Sequence, residues 1–347
     1  MEPDRAAIRR QLLAWYRARK RDLPFRRTKD PYAILVAEII LQRTHVRAGV
    51  PYYERFLAAF PTVRDLAAAS EDDVLRAWEG LGFYRRARNL HRASQAIVTE
   101  FGGALPEDFE ALRALPGIGD YTAGAVGSIA FGLRVPAVDG NATRVLARVF
   151  RIEEDASRGP GKARIAALAS EFVPSDAPGE WNQAVMELGA TVCLPASPKC
   201  SACPLSGECI AFAAGVQATL PVHPTRAAVP VRHVTFAVVR RGDAVLLVHR
   251  EGGLHAGMYA LPGGEVRPHE GEGAAVRRQL RDLRLRPQRV ERLAPVRHTF
   301  SHLRWEGSVY KARVRGTPEG AVWVPRAKLA ALPVVPLHRR LLGTLPG

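Results

Sequence analysis

The sequence predicts two domains, a mainly α one over residues 1–215 and a smaller mixed α/β one over 232–347, joined by a linker at 216–231. Three observations predict this. Apolar residues recur every three or four positions from residue 4 to about 213, the spacing of helices. VQATLPVHPTRAAVPVR then brings three prolines and little periodicity. Beyond it come strand-like runs separated by turn signals.

Composition sets the class. Of 347 residues, 47% are hydrophobic and 24% charged, which describes a globular chain with a large core. No apolar run approaches the length that spans a bilayer, and the opening MEPDRAAIRRQLLAWYRARKRDLP lacks a signal-peptide core. A soluble, cytoplasmic monomer is expected. The formal net charge of +16 comes mostly from arginine, whose planar fork suits phosphate. Such a surplus attracts polyanions and makes nucleic acid the expected partner; codon usage is the bland source of the same charge.

Apolar spacing marks helices in IRRQLLAWYRARKR, VPYYERFLAAF, EDDVLRAWEGLG, RARNLHRASQAIVTEF and GKARIAALASEFV. Pro24, Pro31, Pro51, Pro61, Pro106, Pro116 and Pro136 punctuate the joints. One acid interrupts the apolar run YAILVAEIILQ, where Glu38 sits among Ile34, Leu35, Ile39, Ile40 and Leu41. A carboxylate buried there must meet a cation or take up a proton.

All four cysteines fall in CLPASPKCSACPLSGEC, as Cys193, Cys200, Cys203 and Cys209. Such clustering in an intracellular chain points to a metal site rather than disulfides. Tetrathiolate zinc sites come as two close pairs, whereas this spacing widens, tightens and widens again, which fits a [4Fe–4S] cluster better. The spacing resembles the cluster loop of the endonuclease III superfamily of DNA glycosylases. That resemblance implies a structural cluster presenting a basic loop to DNA, with Lys199 facing phosphate.

LPGIGDYTAGAVGSIAFG strengthens the resemblance. Gly117 and Gly119 flank one apolar residue ahead of a helix of small residues, so backbone N–H groups can approach a phosphate. A tight turn between packed helices is the plainer reading, but the stretch resembles a helix-hairpin-helix motif. Twenty residues after Gly119 comes Asp139, with Gly140 and Asn141 next, where a helix should begin. As an N-cap, Asp139 would be kept ionised by backbone N–H groups and the positive helix end, while Glu38 is pushed the other way. Two carboxyls driven apart in pKa form an acid and an electrostatic stabiliser for cleaving a bond to a sugar.

Position 121 divides the superfamily. Members that also cut the backbone carry a lysine there, and this chain has Tyr121, similar to adenine DNA glycosylases of the MutY family. LPFRRTKDPYAILVAEIILQRTHV, GLGFYRRARNLHRA and WNQAVMELGATVC resemble further blocks of that family. The resemblance implies a helix-hairpin-helix glycosylase fold, a six-helix module over about 27–135 and an Fe–S module from 1–26 and 136–215. It also implies double-stranded DNA with adenine opposite 8-oxoguanine or guanine as substrate. Glu38 would then be the general acid and Asp139 the oxocarbenium stabiliser, with Tyr121 at the sugar and Asn141 orienting Asp139 or water. Arg26 and Gln183 would hold the flipped adenine, and Gln42, Arg43, Thr44 and Phe83 would contact or replace bases. Four departures stand out: Arg43 replaces a glutamine, His45 follows Thr44, Phe83 replaces a tyrosine and Phe25 a tryptophan. They point to retained chemistry with an altered opposite-base preference. A lyase, a thymine-directed glycosylase and a non-catalytic Fe–S protein that binds DNA are the alternatives.

In the second domain, VTFAVVRRGDAVLLVHR reads as a hairpin turning at 241–243, EGAAVRRQLRDL as a helix, and HTFSHLRWEGSVYKARV as a hairpin turning near Glu306 and Gly307. GGEVRPHEGEGAAVRRQLRDLRL resembles a decayed Nudix box. Gly264, Glu270 and Arg278 match, but Gln279 and Leu283 replace metal-binding acids, which predicts no Mg²⁺-dependent hydrolysis. The MutY family carries a Nudix-like domain here. That resemblance implies that Phe300, Ser301 and His302 recognise 8-oxoguanine.

Overall fold

The computed structural model describes residues 4–224, 229–253, 255–300 and 303–344. It divides into two compact units, residues 1–68 with 88–225, and residues 69–87 with 226–347. The helices up to residue 213 are α1 (Arg5–Arg19), α2 (Pro31–Leu41), α3 (Val46–Ala59), α4 (Val63–Ala68), α5 (Glu71–Ala77) and α6 (Arg85–Glu100), then α7 (Phe109–Ala114), α8 (Asp120–Phe131), α9 (Gly140–Val149), α10 (Gly159–Phe172), α11 (Pro178–Thr191) and α12 (Ile210–Ala213). Among the described residues, no helix is long and apolar enough to cross a membrane.

Side-chain oxygens start several of these helices by taking up orphan N–H groups. Asp30 accepts from Tyr32 and Ala33 ahead of Pro31, Asp108 from Ala111, and Asp139 from Ala142. Helix α2 is buried on almost every side, so its one acid is largely desolvated. Leu12 and Tyr16 of α1, Val145 of α9, and Trp181 and Leu188 of α11 form one core cluster, against which Cys193, Cys203 and Cys209 pack.

Part of the expected linker belongs to the first unit. Leu220 is buried, Ala156 donates to the Val222 carbonyl at 3.1 Å, and Arg148 Nε donates to the Leu220 carbonyl at 2.9 Å. A buried leucine and satisfied backbone groups outweigh the proline-rich composition that suggested a tether.

The second unit holds a mixed sheet of β1 (Val231–Arg241), β2 (Ala244–His249), β3 (Tyr259–Ala260), β4 (Gly263–Glu265), β5 (Arg286–Thr299), β6 (Arg304–Arg315) and β7 (Val322–Pro325), with helices α13 (Glu272–Asp282) and α14 (Pro336–Thr344). The order is β3-β2-β1-β6-β5, with β4 on β1 and β7 on β2. Strands β1 and β6 are parallel, whereas β5 and β6 form an antiparallel hairpin in which Thr299 faces Arg304. Val276 and Leu280 of α13 pack on Ala237, Val239, Leu246 and Ala312 of the sheet.

The second hairpin therefore does not turn near Glu306–Gly307, which lies inside β6 facing Arg297 and Val296. Gly307 is there because β1 comes too close for a side chain: an added Cβ would lie 1.7 Å from the Val234 carbonyl oxygen. The close approach demanded glycine, and the residue resembled a turn signal. Gly307→Ala is expected to destabilise the second unit by about 3 kcal/mol, read by chemical denaturation.

Candidate active site

The candidate site lies wholly in the first unit, where α2, α8, α9 and α11 line a cavity of about 420 Å³. That volume suits a ligand of nucleobase size. Glu38, Tyr121, Asp139, Asn141, Arg26 and Gln183 all border it.

Glu38 is 8% exposed and accepts a 2.5 Å hydrogen bond from the Tyr121 hydroxyl, which also lies 3.5 Å from Met186 Sδ. Burial pushes the Glu38 carboxyl up to about 7, the negative charge of Asp139 adds to this, and Tyr121 and Arg26 oppose it. Burial thus outweighs the nearby Arg26 cation and favours the protonated acid. Burial also drives the Tyr121 phenol well above its ordinary range, so it stays a donor.

Asp139 caps α9, taking Ala142 N–H on Oδ1 at 2.7 Å and the Asn141 amide on Oδ2 at 2.8 Å. One expectation is corrected here. Burial raises the Asp139 carboxyl instead of leaving it depressed, although Ala142, Asn141 and Arg144 all oppose the rise. The two acids differ through their hydrogen bonds, because Glu38 has one opposing donor and Asp139 a cage of them. Asn141 is fixed in turn: Arg144 Nη2 donates to its carbonyl at 2.8 Å and to Gly189 O at 2.8 Å.

Arg26 and Gln183 are already engaged. Arg26 donates to Glu187 Oε2 at 2.8 Å, and Arg21 grips both oxygens of the same carboxylate at 2.7 Å. Gln183 accepts from the Tyr16 hydroxyl at 3.1 Å and donates to Gly179 O at 3.2 Å. Burial works against the Glu187 charge, yet hydrogen bonds from Arg21 and Arg26 carry the carboxyl down to about 2. A depressed carboxyl contributes stability that is present above its unfolded value and lost as pH falls toward about 2. Glu187→Ala is therefore expected to lose about 3 kcal/mol near neutrality, and the gap to the parent should narrow in melts taken from pH 4.5 downward.

Other expected contacts are placed separately. Gln42 follows α2 and donates to Thr122 Oγ1 at 3.2 Å, Arg43 adopts a φ of 59°, and Thr44 borders the cavity. Gly117, at a φ of 76°, packs where a Cβ would strike the Asn89 side chain, and Gly119 precedes α8 with open space around its Cα. Phe83 belongs to the second unit, is 46% exposed and has a φ of 48°. Phe300 follows β5, its N–H bonded to Leu303 O at 2.8 Å, while Ser301 and His302 lie outside the described residues.

The four cysteines line one small cavity, which Lys199 also borders. Buried Arg148 enters it, donating to Cys193 Sγ at 3.4 Å, Leu194 O at 2.7 Å and Pro195 O at 3.0 Å. Burial, with the neighbouring sulfurs, pushes the Cys203 thiol up to about 12. Four thiols sharing a pocket with a buried guanidinium fit an anionic tetrathiolate group, whose charge Arg148 would offset. Among the described residues, no three His, Cys, Asp or Glu are placed to hold a metal ion. In the second unit Arg278 holds both oxygens of Glu270 at 2.9 Å, and Gln279 accepts from Thr235 at 3.0 Å.

A model of the HhH-GPD superfamily of base excision DNA repair proteins matches residues 36–174, and a NUDIX domain model matches 234–344. The adenine DNA glycosylase of Rattus norvegicus is 34% identical over 381 residues, covering 94% of this chain and 74% of that protein. This chain belongs to the adenine DNA glycosylase family. The Homo sapiens adenine DNA glycosylase is 45% identical over 212 residues, 58% of this chain and 39% of that one. A thermostable thymine-DNA glycosylase structure matches with a TM-score of 0.55 and 28% identity, over 60% of this chain and 97% of that one.

As a member of the adenine DNA glycosylase family, the chain holds its site together with residues that sequence reading missed. Glu187 and Arg144 were passed over because an acid or arginine on an amphipathic helix reads as a solvated face. Glu187 does carry a signal, since it follows the apolar stretch AVM and precedes LGA, as Glu38 interrupts its own apolar run. Arg148 carries none, because nothing local foretells that its side chain reaches the cysteine loop.

Proposed function

We propose that this chain is a base-excision repair glycosylase that flips adenine, opposite 8-oxoguanine or guanine, out of duplex DNA and hydrolyses its N-glycosidic bond. The observation that carries the reading is the buried Glu38, pushed up to about 7, sharing one cavity with Asp139. An acid with that pKa is half-protonated at neutrality and can deliver its proton, which is how general acids are poised. The proton goes to a ring nitrogen of adenine, the bond from that base to C1′ breaks, and the base leaves neutral.

The sugar then carries positive charge, which the Asp139 carboxylate stabilises from its cage of donors. Water adds at C1′ and gives up a proton to the Glu38 carboxylate, which resets the acid. Tyr121, donating to Glu38 and bordering the same cavity, orients the acid and would assist at the sugar. Asn141, locked by Arg144, orients Asp139. Arg26, steadied by Glu187, and Gln183, steadied by Tyr16, border the space for the base. With tyrosine rather than lysine at 121, the Schiff-base nucleophile expected at that position is missing, so backbone cleavage by that route is not part of the proposal.

Cys193, Cys200, Cys203 and Cys209 are the proposed ligands of a [4Fe–4S] cluster, whose part would be to brace the basic loop carrying Lys199 against DNA. Gly117 and Gly119 would offer backbone N–H groups to phosphate. Gln42, Arg43, Thr44 and Phe83 would fill or border the vacated stack, and Phe300, Ser301 and His302 would read 8-oxoguanine. The net charge of +16 supports a polyanionic partner.

The test is a strand-scission assay on duplexes with adenine opposite 8-oxoguanine, guanine or thymine, with and without alkali after the enzyme step. Alkali-dependent breaks at adenine, fastest opposite 8-oxoguanine, are expected. Breaks that need no alkali would refute the monofunctional reading, and no breaks at adenine would refute the substrate.

A further inference from the structure

The cleaving residues lie in one unit, whereas Phe83, proposed to border the vacated stack, and Phe300, proposed to read 8-oxoguanine, lie in the other. Glu38, Tyr121, Asp139 and Asn141 fall in 1–68 and 88–225, whereas Phe83 and Phe300 both fall in the unit of 69–87 and 226–347. Yet Phe83 and Phe300 are more than two hundred residues apart, and something must keep them in register.

The turn presenting Phe83 is internally braced. Trp78 Nε1 donates to Gly82 O at 3.1 Å, Arg86 Nη2 donates to Leu81 O and Gly82 O at 3.3 Å each, and the Arg86 guanidinium lies over both the Trp78 and Phe83 rings. That turn includes Glu79, whose two carboxylate oxygens are held by the Nε and Nη2 of Arg339. The same guanidinium donates to Leu329 O at 3.0 Å and Leu332 O at 2.7 Å, so four bonds fix its position on α14. Arg76 adds a bond to Ala331 O at 3.1 Å.

From α14 a packed row leads to Phe300. His338, next to Arg339, takes Leu261 N–H at 3.0 Å and lies 4.3 Å from the Phe236 ring. Phe236 lies 5.6 Å from Trp305, and Trp305 lies 4.8 Å from Phe300. Rings and ion pair thus form a continuous path from Phe300 to the turn of Phe83. Coupling between distant groups needs such contiguous, well-determined contacts.

We propose that the Glu79–Arg339 ion pair is the positioning contact that sets discrimination of the base opposite the target, by locking the Phe83 turn to the body that carries Phe300. This rests on the reading of Phe83 as a residue of the vacated stack and of Phe300 as a contact to 8-oxoguanine. Neither Glu79 nor Arg339 touches substrate in this proposal. Their effect appears in the preference between opposite bases and leaves the chemical step alone.

The experiment measures single-turnover rates of the full chain on adenine opposite 8-oxoguanine and opposite guanine. Variants are Glu79→Gln, Arg339→Lys, their double, and the exchanged pair Glu79→Arg with Arg339→Glu. Each single variant is expected to lower the preference for 8-oxoguanine by about tenfold, while the rate opposite guanine changes by less than about twofold. The double should fall no further than either single, and the exchanged pair should recover part of the preference. An unchanged ratio, or equal losses on both substrates with no recovery in the exchanged pair, would overturn the proposal. A parent protein with no preference for 8-oxoguanine would overturn the lesion reading itself, and the inference with it.

Discussion

Glu38→Gln lowers the single-turnover rate of adenine release by about a thousandfold, while binding to the lesion duplex stays within about threefold. Glutamine keeps the shape and still accepts the Tyr121 hydrogen bond, so the packing of α2 is undisturbed. What it loses is the proton. Because Glu38 is buried with its carboxyl pushed up to about 7, the parent protein should lose activity as pH rises through that value. The same shift acts on stability: an acid raised above its unfolded value favours folding below that value, and the benefit disappears as pH rises from about 4.5 through about 7. Glu38→Gln should therefore be more stable than the parent at pH 8 and indistinguishable from it below pH 4, as read by urea melts. A variant that released adenine at the parent rate would remove the acid from the mechanism.

Asp139→Asn should slow base release by about a hundredfold to a thousandfold, because a preorganised charge facing the cationic sugar is replaced by a dipole. Its second effect is diagnostic. Asp139 is one of the groups that raise the Glu38 carboxyl, so neutralising it should move the falling limb of the rate profile to lower pH. Loss of the cap acts on folding too, since Asp139 takes up the Ala142 N–H at the start of α9, but asparagine caps nearly as well. Single-turnover rates across pH separate the two acids: loss of rate with no displacement of the limb would mean that Asp139 and Glu38 do not share a field.

Sequence reading reached the site where chemistry leaves a local mark. Glu38 broke an apolar run, Asp139 preceded a helix, and four cysteines clustered, and each is placed at a cavity. It failed where a residue's meaning depends on distant partners. Glu187 is held by Arg21 and Arg26, more than one hundred and fifty residues earlier, and Glu79 by Arg339, two hundred and sixty residues later. Gly307 misled for the same reason, because the neighbour that requires glycine, Val234, lies on another strand. The linker was overextended because Leu220 is buried by the first unit and not by anything local. The direction at Asp139 was wrong because an N-cap argument weighs donors and ignores burial, which here is the larger effect.

The most direct measurement is the titration of the Glu38 carboxyl itself, by carbon NMR on glutamate-labelled protein with Glu38→Gln to assign the signal. The midpoint is expected near 7, above the ordinary glutamate range, and should fall in Asp139→Asn. A midpoint near 4 in the parent, unmoved by that substitution, would contradict it.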